Sequence, residues 1–200
     1  MELKEKPYSS ESILSITSRN GKSIHVFKIT KNDAWPVCDF VTTNEDRLLD
    51  FFPGTREQNL TPDLSKRFTS LKEKQFDARE EFLFTLREEK SSKVIGLVYI
   101  KELDWKKKQG EFAYAIDYNW EGKGITSNVV AELSKYAFED LELEILQIIA
   151  HKSNIASRKV GMKNGFQWIK TLPKAFTPRG KEPMDMELYE LYKRDKEERE

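Results

Sequence analysis

Between Trp120 and Thr126 the chain reads Trp-Glu-Gly-Lys-Gly-Ile-Thr, and residues of those types suit the holding of phosphate. Two glycines a single residue apart let backbone N–H groups turn inward, and a helix starting just after them offers its positive end to an anion. A Gly-x-Gly pair also serves as a plain strand-to-helix turn. The Gly-x-x-x-x-Gly-Lys-Ser/Thr spacing of a P-loop is not present, nor is the third glycine of a dinucleotide-binding fingerprint. Further along, Asn154 and Ser157 read from the residues alone as the N-cap and first-turn serine of another helix. Candidates for proton transfer are Glu111 and the two histidines. Glu111 stands near the start of a strand, where it is either a base acting directly or through water, or a strand-edge charge. His151 has an unperturbed pKa suited to neutral pH, and a loop histidine bonded to backbone is the competing reading. His25 alternates with Val26 and reads as a sheet residue. The lone cysteine, Cys38, lies beside Val37 and near Phe40 with no cation to lower its thiol pKa, so burial is expected. No metal site is expected.

The elements that must position these residues follow from periodicity and turn chemistry. Ile13 to Thr17 and Ser23 to Ile29 are β-type runs joined through Asn20-Gly21, which predicts a hairpin. Lys31-Asn32-Asp33 offers an N-cap to a helix bearing Val37, Phe40 and Val41. Asn44 is expected to cap a second helix carrying Leu48, Leu49 and Phe52, ended by Pro53-Gly54. From Pro62 to Glu81 an amphipathic helix is predicted, with Leu64, Phe68, Leu71 and Phe76 on its apolar face. Phe82 to Arg87 and Lys93 to Lys101 read as a hairpin turned at residues 88–92, and Glu111 to Tyr118 as a third strand after a solvated tip at Lys106-Lys107-Lys108. The glycine turn opens a helix from Ile125 to Glu139 with Val129, Leu133, Tyr136 and Ala137 on one face. Leu146 to Ala150 is too short an apolar run for a helix and reads as a buried strand. Ile155 to Lys163 is the helix after Asn154, closed by Asn164-Gly165. Phe166 to Thr171 and Met184 to Tyr192 are the last strands, and a charged tail, Lys193 to Glu200, is expected to be frayed or helical.

At 200 residues, with 34 basic against 34 acidic side chains, the chain has the length of one α/β domain and no net field to draw it to nucleic acid or anionic lipid. Any anion site must be local. One cysteine forms no internal disulfide, which suits a reducing cytoplasm. The first twenty residues show no signal-peptide pattern, and no stretch approaches the roughly 20 apolar residues of a membrane span.

Taken together, the motifs resemble the GNAT N-acetyltransferase superfamily, over roughly residues 20–192. Within it the chain is most similar to the RimJ/RimL-like branch of ribosomal-protein N-terminal acetyltransferases. Glu111-Phe112-Ala113-Tyr114 resembles that branch's Glu-Ile-Gly-Tyr strand, Gly122-Lys123-Gly124 its turn, and Gly180 with Asp185 its final hairpin. The resemblance implies an α/β fold of the acyl-CoA N-acyltransferase type, whose mixed central sheet is splayed at the acetyl-CoA site and flanked by helices. It implies acetyl-CoA as cosubstrate and an amine as acceptor, which attacks the thioester carbonyl directly. Backbone groups of Ile116 and Asp117 would face the thioester, and Gly122, Lys123, Gly124, Ile125 and Thr126 the pyrophosphate. Asn154 would hold the pantetheine arm, and Ser157 would protonate the leaving thiolate. Phe51-Phe52-Pro53 corresponds to the segment lining the acceptor side.

The chain departs from the pattern at Glu121 and Thr126 on the turn, and Lys123 is the expected offset for the Glu121 carboxylate. Ile169 stands where the RimL pattern has a glutamate three positions after Gly-Phe, which leaves Glu111 or His151 as replacement bases. A single domain over residues 1–200 is expected, monomeric or homodimeric, cytoplasmic, with neither nucleic acid nor membrane as partner. The acceptor stays open between a protein or peptide α-amine and a small-molecule amine. A catalytically silent acyl-CoA-binding or scaffold protein on the same fold is the alternative.

Overall fold

Asn20-Gly21 turns the chain back on itself, with Gly21 at a φ of +79° that a side chain would strain. The flanking strands β1 (Leu14–Thr17) and β2 (Ser23–Lys28) pair antiparallel, and β2 pairs in turn with β3 (Phe82–Glu88). This computed structural model describes residues 11–89, 91 and 93–194. Lys90 and Ser92 of the expected β3–β4 turn, and most of the charged tail, lie outside the described residues. The chain divides into two compact units. One comprises residues up to Val98 with Tyr114–Ile125, the other Tyr99–Ala113 with everything from Thr126 onward. Strands β4 (Val94–Asp104) and β5 (Gln109–Ile116) run through both. The strands form one mixed sheet in the order β1-β2-β3-β4-β5-β6-β8-β7, flanked by helices.

Among the described residues the first unit carries the α-helices α1 (Ala34–Thr43), α2 (Glu45–Phe51), α3 (Pro53–Glu57) and α4 (Pro62–Asp77). Cys38 is buried in α1 among Val37, Phe40 and Val41, as its neighbours predict. Pro53 opens α3 instead of simply ending α2, because a ring without N–H fits the first helical position. On α4 the buried face is Ser65, Phe68 and Thr69, whereas Leu64 and Leu71 are exposed, contrary to the expected stripe. Small hydroxyl residues permit close approach against α1, and their oxygens reach the carbonyls of Asn59 and Lys31, each at 3.5 Å. Phe76 closes the end of α4 by meeting Phe82 and Phe84 edge-on at 4.9 and 5.4 Å.

The second unit holds β6 (Ile145–His151), β7 (Gln167–Phe176) and β8 (Met184–Tyr192), helix α6 (Ile155–Lys163), and nearly all of α5 (Ile125–Glu139). Strand β6 runs parallel to β5 and antiparallel to β8, and β8 is antiparallel to β7. Leu146 and Ile148 are buried, as the short apolar run requires, and Phe112 meets Phe166 at 6.4 Å between rings. Val129, Leu133 and Ala137 form the buried stripe of α5. Gly165, at φ +82°, ends α6 as its Asn-Gly signature predicts. Among the described residues no helix is long and apolar enough to cross a membrane.

One interaction in the first unit has no signature in local sequence: Arg87 on β3 and Asp33 before α1 form an ion pair in which both side chains are almost fully buried. Asp33 also accepts from the Thr30 N–H at 2.6 Å and from the Thr30 hydroxyl at 3.1 Å, so its lone pairs are well used. Asp33→Ala leaves a buried guanidinium without its counter-charge and is expected to cost about 3–5 kcal/mol of stability. Urea unfolding measures this, and a loss under about 1 kcal/mol would show the pair to be solvated in practice.

Candidate functional site

The glycine turn is assembled where β5 gives way to α5, within the first unit. The Asp117 N–H makes a last ladder bond to the Ile95 carbonyl at 2.8 Å, after which a 3-10 turn spans Tyr118–Trp120. Gly122 and Gly124 then adopt φ of +69° and +76°, and α5 begins at Ile125. Both glycines are needed for the backbone path, since side chains rarely adopt such φ. The first N–H groups of any helix have no partner within it, so α5 presents donors at the end of this turn.

Side chains from other elements hold the turn. Asp117 is 1% exposed; its Oδ1 accepts from the Asn119 N–H at 2.8 Å and its Oδ2 from Asn44 Nδ2 at 3.3 Å. Asn44, expected to cap α2, makes no side-chain cap bond. Its amide donates to the Phe40 carbonyl at 2.8 Å and its Oδ1 accepts from the Tyr118 N–H at 3.1 Å. Long-range partners have claimed the groups that local sequence assigned to capping. Glu121 pairs with Arg47, whose guanidinium also lies 5.8 Å from the Tyr118 ring centroid. The expected offset by Lys123 is therefore corrected: Lys123 donates to the Asn119 carbonyl at 2.6 Å and sits 4.9 Å from the Trp120 centroid. Lys22 also lies 4.8 Å from the Trp120 ring and pairs with Glu88.

Arg19, at the tip of the first hairpin, was not suggested by its sequence surroundings. Its N–H donates to the Lys123 carbonyl at 3.1 Å, and a Cβ placed on Gly124 would come within 3.1 Å of its Nε. The guanidinium thus lies along Gly124, and among the described residues it has no ion pair or side-chain hydrogen bond. A cation held there without a counter-ion is a ready partner for an anion.

The register of β5 with β6 runs from Gln109↔Ile145 to Phe112↔Ile148 and ends there, although β5 continues to Ile116 and β6 to His151. At that point β5 changes from alternating burial to uniform half-burial over Ala113–Ile116. Ile116 is the last residue of the strand and Tyr118 lies beyond it, in the 3-10 turn, where a strand was expected.

In the second unit Asn154 caps α6 as expected, accepting from the Ser157 N–H at 3.0 Å. Ser157 is half-buried one turn into the helix. Arg158 bonds the Tyr189 hydroxyl at 2.9 Å and the Lys152 carbonyl at 3.0 Å, fixing the approach to α6. His151 is the last residue of β6 and not a loop residue as expected; its Nδ1 lies 2.7 Å from the Ser153 hydroxyl and accepts from the Ser153 N–H at 3.3 Å, the local bonding that competed with its reading as a base. His25 is a sheet residue in β2, opposite Arg87.

Glu111 lies in the paired part of β5, not at the start of the free part, opposite Gln147. Its carboxylate meets Lys101 Nζ at 3.0 Å, and burial pushes its pKa up while Lys101 pulls it down and Glu102 adds to the rise. On the same face Gln109 donates to Gln147, Gln147 to Glu190 at 2.7 Å, and the Tyr192 hydroxyl to Glu190, so a buried carboxylate ends a polar row. That row has no signature in local sequence, because its members come from three strands. Ile169 is exposed, at a shift in the β7–β8 register between Trp168 and Lys170.

Residues 24–167 match the family described as Acetyltransferase (GNAT) domain. This chain belongs to the GNAT acetyltransferase family. Among proteins similar to this GNAT chain is YdaF of Bacillus subtilis (strain 168), whose name describes a ribosomal N-acetyltransferase. It is 38% identical over 71 residues, 36% of this chain and 39% of YdaF, so the match spans about two fifths of that relative. Among solved structures, the ribosomal-protein-S5-alanine acetyltransferase of Vibrio fischeri superposes with a TM-score of 0.82 at 20% identity, covering 91% of this chain and 98% of that one. RimL, a ribosomal L7/L12 α-N-protein acetyltransferase in complex with coenzyme A, gives a TM-score of 0.80 at 15% identity over 91% and 98%. At those identities the two structures establish likeness of fold.

The raised pKa of Glu111 has a measurable consequence. A carboxyl that holds its proton more tightly when folded stabilises the fold below the ordinary value of 4.5 and loses that contribution as pH rises through the folded value. Wild type should therefore lose stability relative to Glu111→Gln as pH climbs from about 4.5 toward neutrality. Parallel thermal melts across pH test this, and a constant difference in Tm would refute the shift.

Proposed function

We propose that this chain transfers an acetyl group from acetyl-CoA to a primary amine, with a protein or peptide α-amine as acceptor. The observation that carries the reading is the turn Gly122–Ile125, two positive-φ glycines opening α5 beside Arg19, which has no ion pair among the described residues; the turn lies within the segment matching the GNAT family. Names of the similar proteins support a protein acceptor, since they describe ribosomal-protein acetyltransferases, and coenzyme A is bound in the RimL structure.

In this reading the turn and Arg19 take the pyrophosphate, by backbone donation and by charge. Backbone at Ile116 and Asp117 faces the thioester, polarising its carbonyl as negative charge builds on oxygen. The amine nitrogen bonds to the carbonyl carbon, the carbon–sulfur bond breaks, the Ser157 hydroxyl gives its proton to the departing thiolate, and the proton of the new ammonium leaves through Glu111 or water. Asn154 holds the pantetheine arm. An α-amine, with a pKa of about 8, is partly neutral at physiological pH, whereas a lysine side chain near about 10.4 is almost wholly charged. A chain with Ile169 in place of a glutamate needs the acceptor that asks least of a base.

Calorimetry of the purified chain with acetyl-CoA is expected to show micromolar binding. Gly124→Val, which strains φ and pushes on Arg19, should abolish it, and Arg19→Ala should weaken it about tenfold. Unchanged affinity in Gly124→Val would remove the pyrophosphate from this turn. Incubation with α-amine peptides should release free CoA, which a silent acyl-CoA-binding protein would not do.

Ser157→Ala is expected to lower kcat by about 10²-fold or more with little change in KM for acetyl-CoA, since its proton is needed only as sulfur departs. Glu111→Gln should remove the acidic limb of the pH profile. Equal losses in kcat and affinity for Ser157→Ala would reduce that serine to a structural part of α6.

A further inference from the structure

We infer that Asn44 is a positioning residue for the cofactor turn; the inference rests on the proposed binding of acetyl-CoA there. Asn44 sits between α1 and α2, 4% exposed, yet two of its hydrogen bonds reach residues 73 and 74 positions away. Both sides of its amide are engaged: the nitrogen with the Phe40 carbonyl and the Asp117 carboxylate, the oxygen with the Tyr118 N–H. Asp117 in turn holds the Asn119 N–H. The two amides that follow the exit of β5 are thus fastened by side chains, one by Asn44 and the next by Asp117. A backbone leaving a strand would otherwise sample many conformations before Gly122.

The pair is chemically asymmetric in a way that suits this task. A carboxylate accepts only, so it needs a donor facing it, and the amide supplies that donor while its oxygen takes an N–H that Asp117 does not reach. No other neutral side chain of that length offers both. One turn along α2, Arg47 adds a second tie through Glu121 and the Tyr118 ring. The head of α2 therefore grips the turn at both ends of its 3-10 segment. Asn44 touches no reacting atom; it acts by holding the phosphate-facing backbone in one conformation before ligand arrives, which lowers the ordering cost of binding.

The test separates positioning from plain stability. Asn44→Ala removes both functions of the amide. Asn44→Asp keeps an acceptor for Tyr118 but sets two carboxylates against each other, and it serves if the alanine variant does not fold. The double variant Asn44→Asp with Asp117→Asn restores one donor and one acceptor between the two side chains in reversed order, without the bond to the Phe40 carbonyl. Hydrogen exchange of the ligand-free proteins at Tyr118 and Asn119 should quicken in the single variants and return toward wild type in the double variant. KM and Kd for acetyl-CoA should rise about tenfold in the single variants, with kcat at saturation within about twofold of wild type, and the double variant should regain most of the affinity. Wild-type exchange at these two amides in a single variant, or unchanged acetyl-CoA affinity there, would each overturn the inference. A wild-type chain that binds no acetyl-CoA instead sinks the proposed function, a distinct outcome because the exchange is read without ligand.

Discussion

A strand that gives way to a glycine turn cannot carry its ladder bonds past the last paired residue, and its next few N–H groups have to find partners elsewhere. In this chain the buried Asn44–Asp117 pair supplies them, and the rest of the turn hangs from that point. Arg47, Lys123, Lys22 and Arg19 then pack around a frame already set.

Charge is arranged locally, because the chain as a whole has none to spare: 34 basic residues face 34 acidic ones. Around the turn most cations are committed. Arg47 serves Glu121, Lys22 serves Glu88, and Lys123 bonds a carbonyl and covers Trp120. Arg19 differs in being held by its backbone N–H while its guanidinium lies along Gly124. Glu121, on the glycine turn, has its charge met by an arginine from another helix. Glu111 follows the opposite rule, since burial raises its pKa while Lys101 restrains the rise.

Much of the fold was legible because it rests on local rules. Alternation and short apolar runs gave β6 and β8, the Asn-Gly pairs gave the first hairpin and the end of α6, and the 3.6-residue period gave α5 with its observed ends. Errors fell where packing between elements outweighs the period. The buried face of α4 turned toward Ser65 and Thr69 because small residues allow closer approach to α1 than Leu64 and Leu71 would. Pro53 looked like a stop and is a start, since proline suits both roles in sequence.

The sequence by itself determined the chemistry available: a Gly-x-Gly turn before a helix, an Asn-x-x-Ser helix start, and strands to carry them. Each depends on residues a few positions apart, whose backbone preferences act without help. Only the tertiary structure decided which charges meet. Arg19 at Gly124, Asn44 at Asp117, Arg47 at Glu121 and Arg87 at Asp33 join residues from separate elements. No periodicity encodes such pairs, because a buried polar group takes whichever complementary partner the packed chain brings within reach, and that is settled by the whole fold at once.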